Sequence, residues 1–436
     1  MKEIRIGLLG FGTIGTGVVR IFQDNARLIE ERLGARLVLA RIADLDITTD
    51  RGVSVDADLL TTRAEDVVSA PDIDVVIELI GGYEPARTFV LKAIEQGKHV
   101  VTANKALLAL HGEEIYAAAA EKRVDVFFEA AVGGGIPVIS SIKENLCANR
   151  FGSIFAILNG TCNYILSRMT NDGDDFTVVL KDAQALGFAE ADPTFDIEGI
   201  DTAHKLALLI SLCFGTRVKF EEIYTEGISG ISAADIRFAK DFGYKIKLLA
   251  ISKEDGGRIE ARVHPTMIPL HYPLADVDGA FNAVRLVGDF VGPVMLYGAG
   301  AGMNATASAV MGDVMAIARN LRSGAEARTP AMAYCPEHIG RLSIKPMDEI
   351  VSQYYLRFTT VDKPGVLAQI AGVLGRHDIS IASMIQPERH EEEAVPIVLM
   401  THEAREASVR SALDEIDALD MVREKSRLIR IESELL

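Results

Sequence analysis

The sequence predicts an α/β protein: a parallel-sheet nucleotide-binding domain first, an α+β middle, and a ferredoxin-like βαββαβ unit last. Three observations predict it. An apolar run at residues 4–9 ends in Gly10-Phe11-Gly12-Thr13-Ile14-Gly15, strands and helices alternate as far as residue 104, and six elements in the order βαββαβ fill 354–431. A glycine turn between a strand and a helix is built for a phosphate, and alternation of strand and helix gives parallel sheets.

Taken in order, the turn after residues 4–9 is followed by helical periodicity through about Arg32. A second strand at 36–43 ends at Asp44, and a third at 75–80 ends at Gly81-Gly82. A helix at about 85–96 and the strand HVVTAN at 99–104 continue the pattern. From residue 138 the elements lengthen, with a strand at 151–159 and a helix at 163–170. Residues 183–205 then gather Glu190, Asp192, Asp196, Glu198 and Asp201 ahead of the apolar run LALLISLCF at 206–214. A glycine- and alanine-rich stretch at 298–311 opens a helix to about Asn320, expected to return to the first domain. Residues 321–353 lack periodicity, carry Pro330, Pro336 and Pro346, and read as a linker. The last unit reads as a strand at 354–361, a helix at 364–376, a strand at 379–385, an acidic turn at 391–393, a strand at 395–401, a helix at 403–416 and a strand at 426–431. The expected domains are therefore 1–137 for a dinucleotide, 138–320, the linker 321–353, and 354–436.

Bulk properties narrow the function. The chain has 436 residues, 49% of them hydrophobic and 25% charged, as in an ordinary globular protein. Its net charge of −17 argues against nucleic acid and anionic membrane surfaces, which require basic patches. Four cysteines, Cys147, Cys162, Cys213 and Cys335, are widely spaced and read as reduced thiols. The chain begins on a strand without a signal peptide, and no apolar run reaches the roughly 20 residues of a membrane span. A cytoplasmic protein is expected.

The GxGxxG turn has the strand before it, the helix after it and an acid on the next strand that the dinucleotide fingerprint demands. Gly10 suits the tight turn, Gly12 the approach of a pyrophosphate, and Gly15 the packing of helix on strand. Asp44 suits a ribose diol, as in NAD, although it lies beyond the usual spacing of about 20 residues. Arg41 on the same strand leaves NADP open. In the acidic cluster, a helix beginning near Asp201 puts Asp201 and Lys205 on one face and drives that face towards an apolar interior. An N-cap with an i,i+4 ion pair accounts for it structurally; paired groups feeding proton transfer account for it chemically.

The segment Ala183-x3-Gly187-Phe188-Ala189-x2-Asp192-Pro193-x2-Asp196-Ile197-x-Gly199-x-Asp201-x3-Lys205 closely resembles the signature of the homoserine dehydrogenase family. GFGTIGTGV at 10–18, TANKALL at 102–108, EAAVGGGIP at 129–137, NGTCNYIL at 159–166 and GAGAG at 298–302 extend the resemblance over essentially the whole chain. DKPGVLAQI at 362–370 resembles an ACT domain, and the start at the dinucleotide fold resembles the monofunctional form without a fused kinase. The resemblance implies a Rossmann-type domain and reversible NAD- or NADP-dependent hydride transfer between aspartate 4-semialdehyde and L-homoserine. It implies Lys205 as proton donor with Asp201 orienting it, and Lys105 as a second basic group. It assigns Glu190, Asp196, Gly160 and Thr161 to the substrate, and Phe11, Thr13, Ile14, Thr102, Lys105 and Gly302, beside the fingerprint glycines and Asp44, to the cofactor. It also implies a sodium ion on the backbone carbonyls of Glu129, Val132, Gly134 and Ile136. For the last unit it implies an amino-acid effector, threonine, at Asp362–Gly365, within a homodimer or homotetramer.

Two positions depart from the family pattern: Phe188 stands where some relatives have Tyr, and Ala305 where Pro is usual. Neither is an acid/base residue. Two rival readings remain. A 2-hydroxy-acid dehydrogenase also joins these domains but needs a catalytic His, and His204 is the sole histidine in the cluster. A decayed, non-catalytic sensor is disfavoured by the presence of Lys105, Asp201 and Lys205.

Overall fold

The computed structural model describes residues 2–325, 327–386, 394–433 and 435. The chain folds as two compact units, one of Met1–Ile154, Thr202–Glu222 and Phe281–Leu342, the other of Phe155–Asp201, Ile223–Ala280 and Ser343–Leu436.

In the first unit, β1 (Glu3–Leu9), β2 (Arg36–Ala43), β3 (Leu60–Thr61), β4 (Val75–Glu78), β5 (His99–Thr102) and β6 (Val126–Phe127) form a sheet in the order β3-β2-β1-β4-β5-β6. Every neighbouring pair is parallel. Helices cover both faces of such a sheet, so β4 and β5 are buried along their whole length. Strand order reverses between β1 and β4, and the glycine turn after β1 lies at that switch point, where open α/β sheets bind ligands. The helical periodicity to Arg32 is carried by two helices, Thr13–Asp24 and Ala26–Leu33, interrupted at the non-helical Asn25. The distant helix Met303–Ser323 completes the core: Ala307, Val310, Val314 and Ile317 are buried with Ile6, Leu8, Val18 and Val19. Gly17 permits this packing, since a Cβ there would sit 2.9 Å from that of Ala307.

The second unit is built on a hairpin of Tyr244–Asp255 and Arg258–Pro269, turned at Gly256-Gly257, both with positive φ. After it come Val351–Thr360, the helix Val366–Arg376, Ile381–Ile385, Val395–Thr401, the helix Glu406–Asp417 and Arg427–Ile431. The four strands pair antiparallel in the order fourth, first, third, second, as in a ferredoxin-like unit. Tyr354, Leu356, Phe358, Ile370, Leu399, Val409 and Ile416 fill its core. The acidic turn expected at 391–393 lies outside the described residues. The fourth strand has a second neighbour: Arg430 and Ile431 pair in parallel with Thr266 and Met267 of the hairpin. Within the stretch 321–353, Ser343–Ile344 pairs with Arg258 and Ile259.

Buried ion pairs reinforce this shared sheet. Arg430, 1% exposed, grips Glu406 through Nε–Oε2 (3.0 Å) and Nη2–Oε1 (2.6 Å). Arg262 meets Glu432 at 2.5 Å, and Asp235 accepts from Tyr355 (2.9 Å) and Arg357 (2.7 Å). Charges so buried persist only when paired and hydrogen-bonded.

Candidate active site

The cofactor-binding candidates belong to the first unit. Gly10 has φ +96°, and a Cβ there would meet Leu79 O at 2.6 Å; at Gly15 it would meet Gly10 O at 2.2 Å. Gly12, by contrast, faces open space directly before the helix Thr13–Asp24. The turn is closed where the protein packs and open where an anion would approach free N–H groups. Thr13 and Ile14 form the first turn of that helix. Asp44, just beyond β2, accepts from Phe11 N (2.5 Å) and Asp46 N (2.9 Å). Arg51 Nη2 lies 3.8 Å from Asp44, with its guanidinium 4.8 Å above the Phe11 ring. Gly302, exposed with φ +108°, caps Met303–Ser323.

After β5 a buried network shapes the next turn. Glu78 accepts from Thr102 Oγ1 (2.6 Å), Ile80 N (2.8 Å) and Gly81 N (3.1 Å). Asn104 donates to Thr102 Oγ1 from its backbone, reaches Gly82 O (2.7 Å), and caps the helix Lys105–Lys122 through Leu107 N (3.1 Å). Lys105 is therefore the first residue of a firmly anchored helix. Thr102 is fully buried, and its hydroxyl holds the turn.

The glycine loop at 133–135 packs on GAGAG. A Cβ on Gly134 would lie 2.4 Å from Gly300 O, and one on Gly300 2.1 Å from the Asn282 side chain. The Glu129 carboxylate accepts from Ile139 N and Ser140 N, both at 2.7 Å, while its own N–H donates to Asp313 (2.8 Å). Burial pushes the carboxyls of Glu129 and Asp313 above their ordinary range. Of the four carbonyls assigned to a cation, Glu129 O accepts from Val132 N and Ile136 O from Val138 N. Each retains a second lone pair. The Val132 and Gly134 carbonyls belong to buried residues of the same loop. Among the described residues, no group of three or more His, Cys, Asp or Glu is arranged to hold a metal ion.

The substrate candidates Gly160, Thr161, Glu190 and Asp196, with Asp201, belong to the second unit, and Lys205 to the first. Asn159 caps the helix Gly160–Asp172 by accepting from Cys162 N (2.8 Å). Its Nδ2 donates to both Asp196 Oδ1 (2.8 Å) and Asp201 Oδ2 (3.0 Å). Thr161 Oγ1 donates to Phe188 O (2.6 Å) and lies 3.4 Å from Asp196 Oδ2. Gly160 leaves no room for a Cβ, which would touch Ala280 O at 2.8 Å. Asp192 starts the short helix Thr194–Ile197 by accepting from Thr194 N, and hydrogen bonds from the Thr194 side chain and backbone lower its pKa. Asp201, 4% exposed, lies in the first turn of the helix Ile200–Phe214. Lys205, half-buried, follows one turn along. Glu190 is exposed; Gln184 holds the backbone carbonyl, leaving the carboxylate at the surface.

Comparison with known proteins places the whole chain. Residues 10–129 match the family model for the homoserine dehydrogenase NAD-binding domain, 137–315 that for homoserine dehydrogenase, and 354–420 that for the ACT domain. The homoserine dehydrogenase of Neisseria gonorrhoeae is 47% identical over 433 residues, 99% of both chains, and that of Pseudomonas aeruginosa 47% over 435. The crystal structure of a homoserine dehydrogenase from Thiobacillus denitrificans superposes with a TM-score of 0.93 at 48% identity, covering 99% of each chain. The chain belongs to the homoserine dehydrogenase family.

As a homoserine dehydrogenase family member it is an NAD(P)-dependent oxidoreductase with a C-terminal ACT domain. A hyperthermophilic archaeal member solved in complex with NADPH shares 26% identity over 73% of this chain, with a TM-score of 0.61. Two residues of the candidate site escaped the reading of the sequence. Asn159 begins the NGTCNYIL motif, and its position before a Gly-Thr helix start was the available signal. Glu78 gave none, ending a strand that reads as plain core. His204, 2% exposed, packs its ring 4.2 Å from that of Phe220, a core setting that does not suit a catalytic histidine.

Proposed function

We propose that the chain reduces the aldehyde of L-aspartate 4-semialdehyde to L-homoserine, and reverses that reaction, through the residues described above. The observation that carries this reading is the Asn159 amide joined to both Asp196 and Asp201 at the start of the helix that bears Lys205. A bound nicotinamide cofactor supplies or accepts the hydride. Lys205 gives its proton to the alkoxide oxygen formed at the former carbonyl, and takes it back in the reverse direction. Asp201 orients Lys205, and Lys105 stands as the second base that stabilises the alkoxide. Asp196 and Glu190 receive the substrate ammonium, with Gly160 and Thr161 beside it.

Gly10, Phe11, Gly12, Thr13, Ile14, Gly15 and Gly302 hold the cofactor, with Thr102 shaping the turn that delivers Lys105. Asp44 suits the ribose diol of NAD. Arg51 beside it supplies a cation for the 2′-phosphate of NADP, and the archaeal relative's NADPH supports use of the phosphorylated form. The carbonyls of Glu129, Val132, Gly134 and Ile136 hold sodium, whose preference for oxygen ligands they match. Residues 1–137, 138–320, 321–353 and 354–436 serve as cofactor domain, substrate and dimerisation domain, linker and regulatory domain. The last binds threonine at Asp362–Gly365, in a cytoplasmic homodimer or homotetramer.

Purified protein should reduce NAD or NADP in the presence of L-homoserine and be inert towards 3-phosphoglycerate. Activity with 3-phosphoglycerate and none with homoserine would replace this reading by that of a 2-hydroxy-acid dehydrogenase.

A further inference from the structure

The substrate loop that carries Asp196 leans on a segment with no role in the chemistry above. Ile228 N donates to Ile197 O (2.8 Å), immediately beside Asp196. Gly227 is pressed so closely on this loop that a Cβ would lie 2.4 Å from both Ile197 O and Glu198 Oε2. Gly199 closes the contact from the other side, 3.2 Å from Thr225 and Val263 side-chain atoms by the same measure. With no slack between these backbones, a displacement of residues 225–228 displaces the carboxylate loop.

What fixes residues 225–228 is Glu226. Its N–H bonds to Val263 O (2.8 Å), and its Oε2 accepts from Tyr224 Oη (3.0 Å) and from Arg430 Nη1 (2.9 Å). Arg430 belongs to the fourth strand of the ACT domain and is itself locked by the two bonds to Glu406, at the head of the last ACT helix. Its guanidinium also lies 4.9 Å over the Tyr224 ring. A charged bond from a fully buried arginine to a partly exposed carboxylate thus connects the ACT sheet to the backbone under Asp196.

We infer that Glu226 is a positioning residue for the substrate: through Arg430 it makes the ACT domain part of the support that holds the Asp196 loop in register. The inference rests on the proposed role of Asp196 and deepens it by naming what sets the loop's position. Any ligand that shifts the fourth ACT strand acts on substrate affinity by this route.

The test is steady-state kinetics of Glu226→Gln, Tyr224→Phe and the double variant, with thermal midpoints measured alongside. Glu226→Gln keeps the shape and removes the charge, and should raise the KM for homoserine about tenfold. The Tyr224 hydroxyl donates to Glu226 and also accepts from Arg430 Nη2 (3.1 Å), so Tyr224→Phe should raise it roughly threefold, and the double variant should fall short of the product of the two effects because both groups share one network. The KM for the nicotinamide cofactor, the turnover number and the thermal midpoint should stay near wild type. An unchanged homoserine KM in Glu226→Gln overturns the inference, as does a uniform loss of turnover, cofactor affinity and thermal stability. Wild-type turnover of homoserine is read in the same experiment, so failure of the parent reading is seen separately.

Discussion

Asn159 shows how one side chain can serve fold and site together. Its carbonyl oxygen satisfies an orphan N–H at a helix start, and its two amide protons divide between carboxylates that would otherwise repel. Asn159→Ala should lose about 1 kcal/mol of capping energy and raise the homoserine KM roughly tenfold or more, as expected for lost hydrogen bonds to charged groups. Parallel thermal melts and steady-state kinetics check both parts; an unaltered KM would show that Asp196 is placed without it. The glycines at 10 and 15 were legible in the sequence because each answers a packing demand that only glycine meets, and Gly12 because it leaves the space before the helix open. Asn159 and Glu78 were not, because an amide or a carboxylate in a strand-to-helix turn looks the same whether it caps, bridges or faces solvent.

Among the elements, the paired strands of the second unit carry buried charges that bear on stability. Burial raises the Glu432 carboxyl, but Arg262 and Lys253 outweigh it and hold the pKa below the ordinary range; Arg430 does the same for buried Glu406. A carboxylate depressed in the folded state contributes stability in full above its unfolded pKa of about 4.3 and loses it as pH falls through the folded value. Stability of the wild type should therefore fall as pH drops from about 5 to 3, and Glu432→Gln should flatten that dependence. The same variant should cost about 3 kcal/mol at neutral pH, since the buried Arg262 charge then keeps only the longer carboxylate contact to Glu260 (3.3 Å). Denaturant melts across the pH range measure both; a Glu432→Gln curve parallel to wild type would remove this pair from the acid response. These strands, Tyr244–Asp255 and Arg258–Pro269, went unread in the sequence. Buried almost along their length, they mix lysines and arginines into apolar runs, so the two-residue alternation that marks a half-exposed strand is missing.

For the whole molecule, the fold class, the dinucleotide turn and the ferredoxin-like order were visible as local patterns of one element following another. The parallel pairing of Arg430–Ile431 with Thr266–Met267 was not, because contacts between residues so distant in sequence leave no periodic trace. That pairing changes what truncation means. Removing everything after Gln353 takes Glu432 from Arg262, Arg430 from Glu226, and Tyr355 and Arg357 from Asp235, so the shortened protein should melt well below the full chain as well as lose any response to threonine. A truncated form that keeps the wild-type thermal midpoint would show the ACT domain to be an independent appendage. The central claim concerns chemistry, and Lys205→Ala tests it most directly, by steady-state turnover of homoserine beside a fluorescence titration of cofactor binding. The account predicts turnover reduced by about 100-fold or more, the scale of a lost general acid, with cofactor affinity intact. Near-normal turnover in Lys205→Ala would contradict it and pass the proton to Lys105.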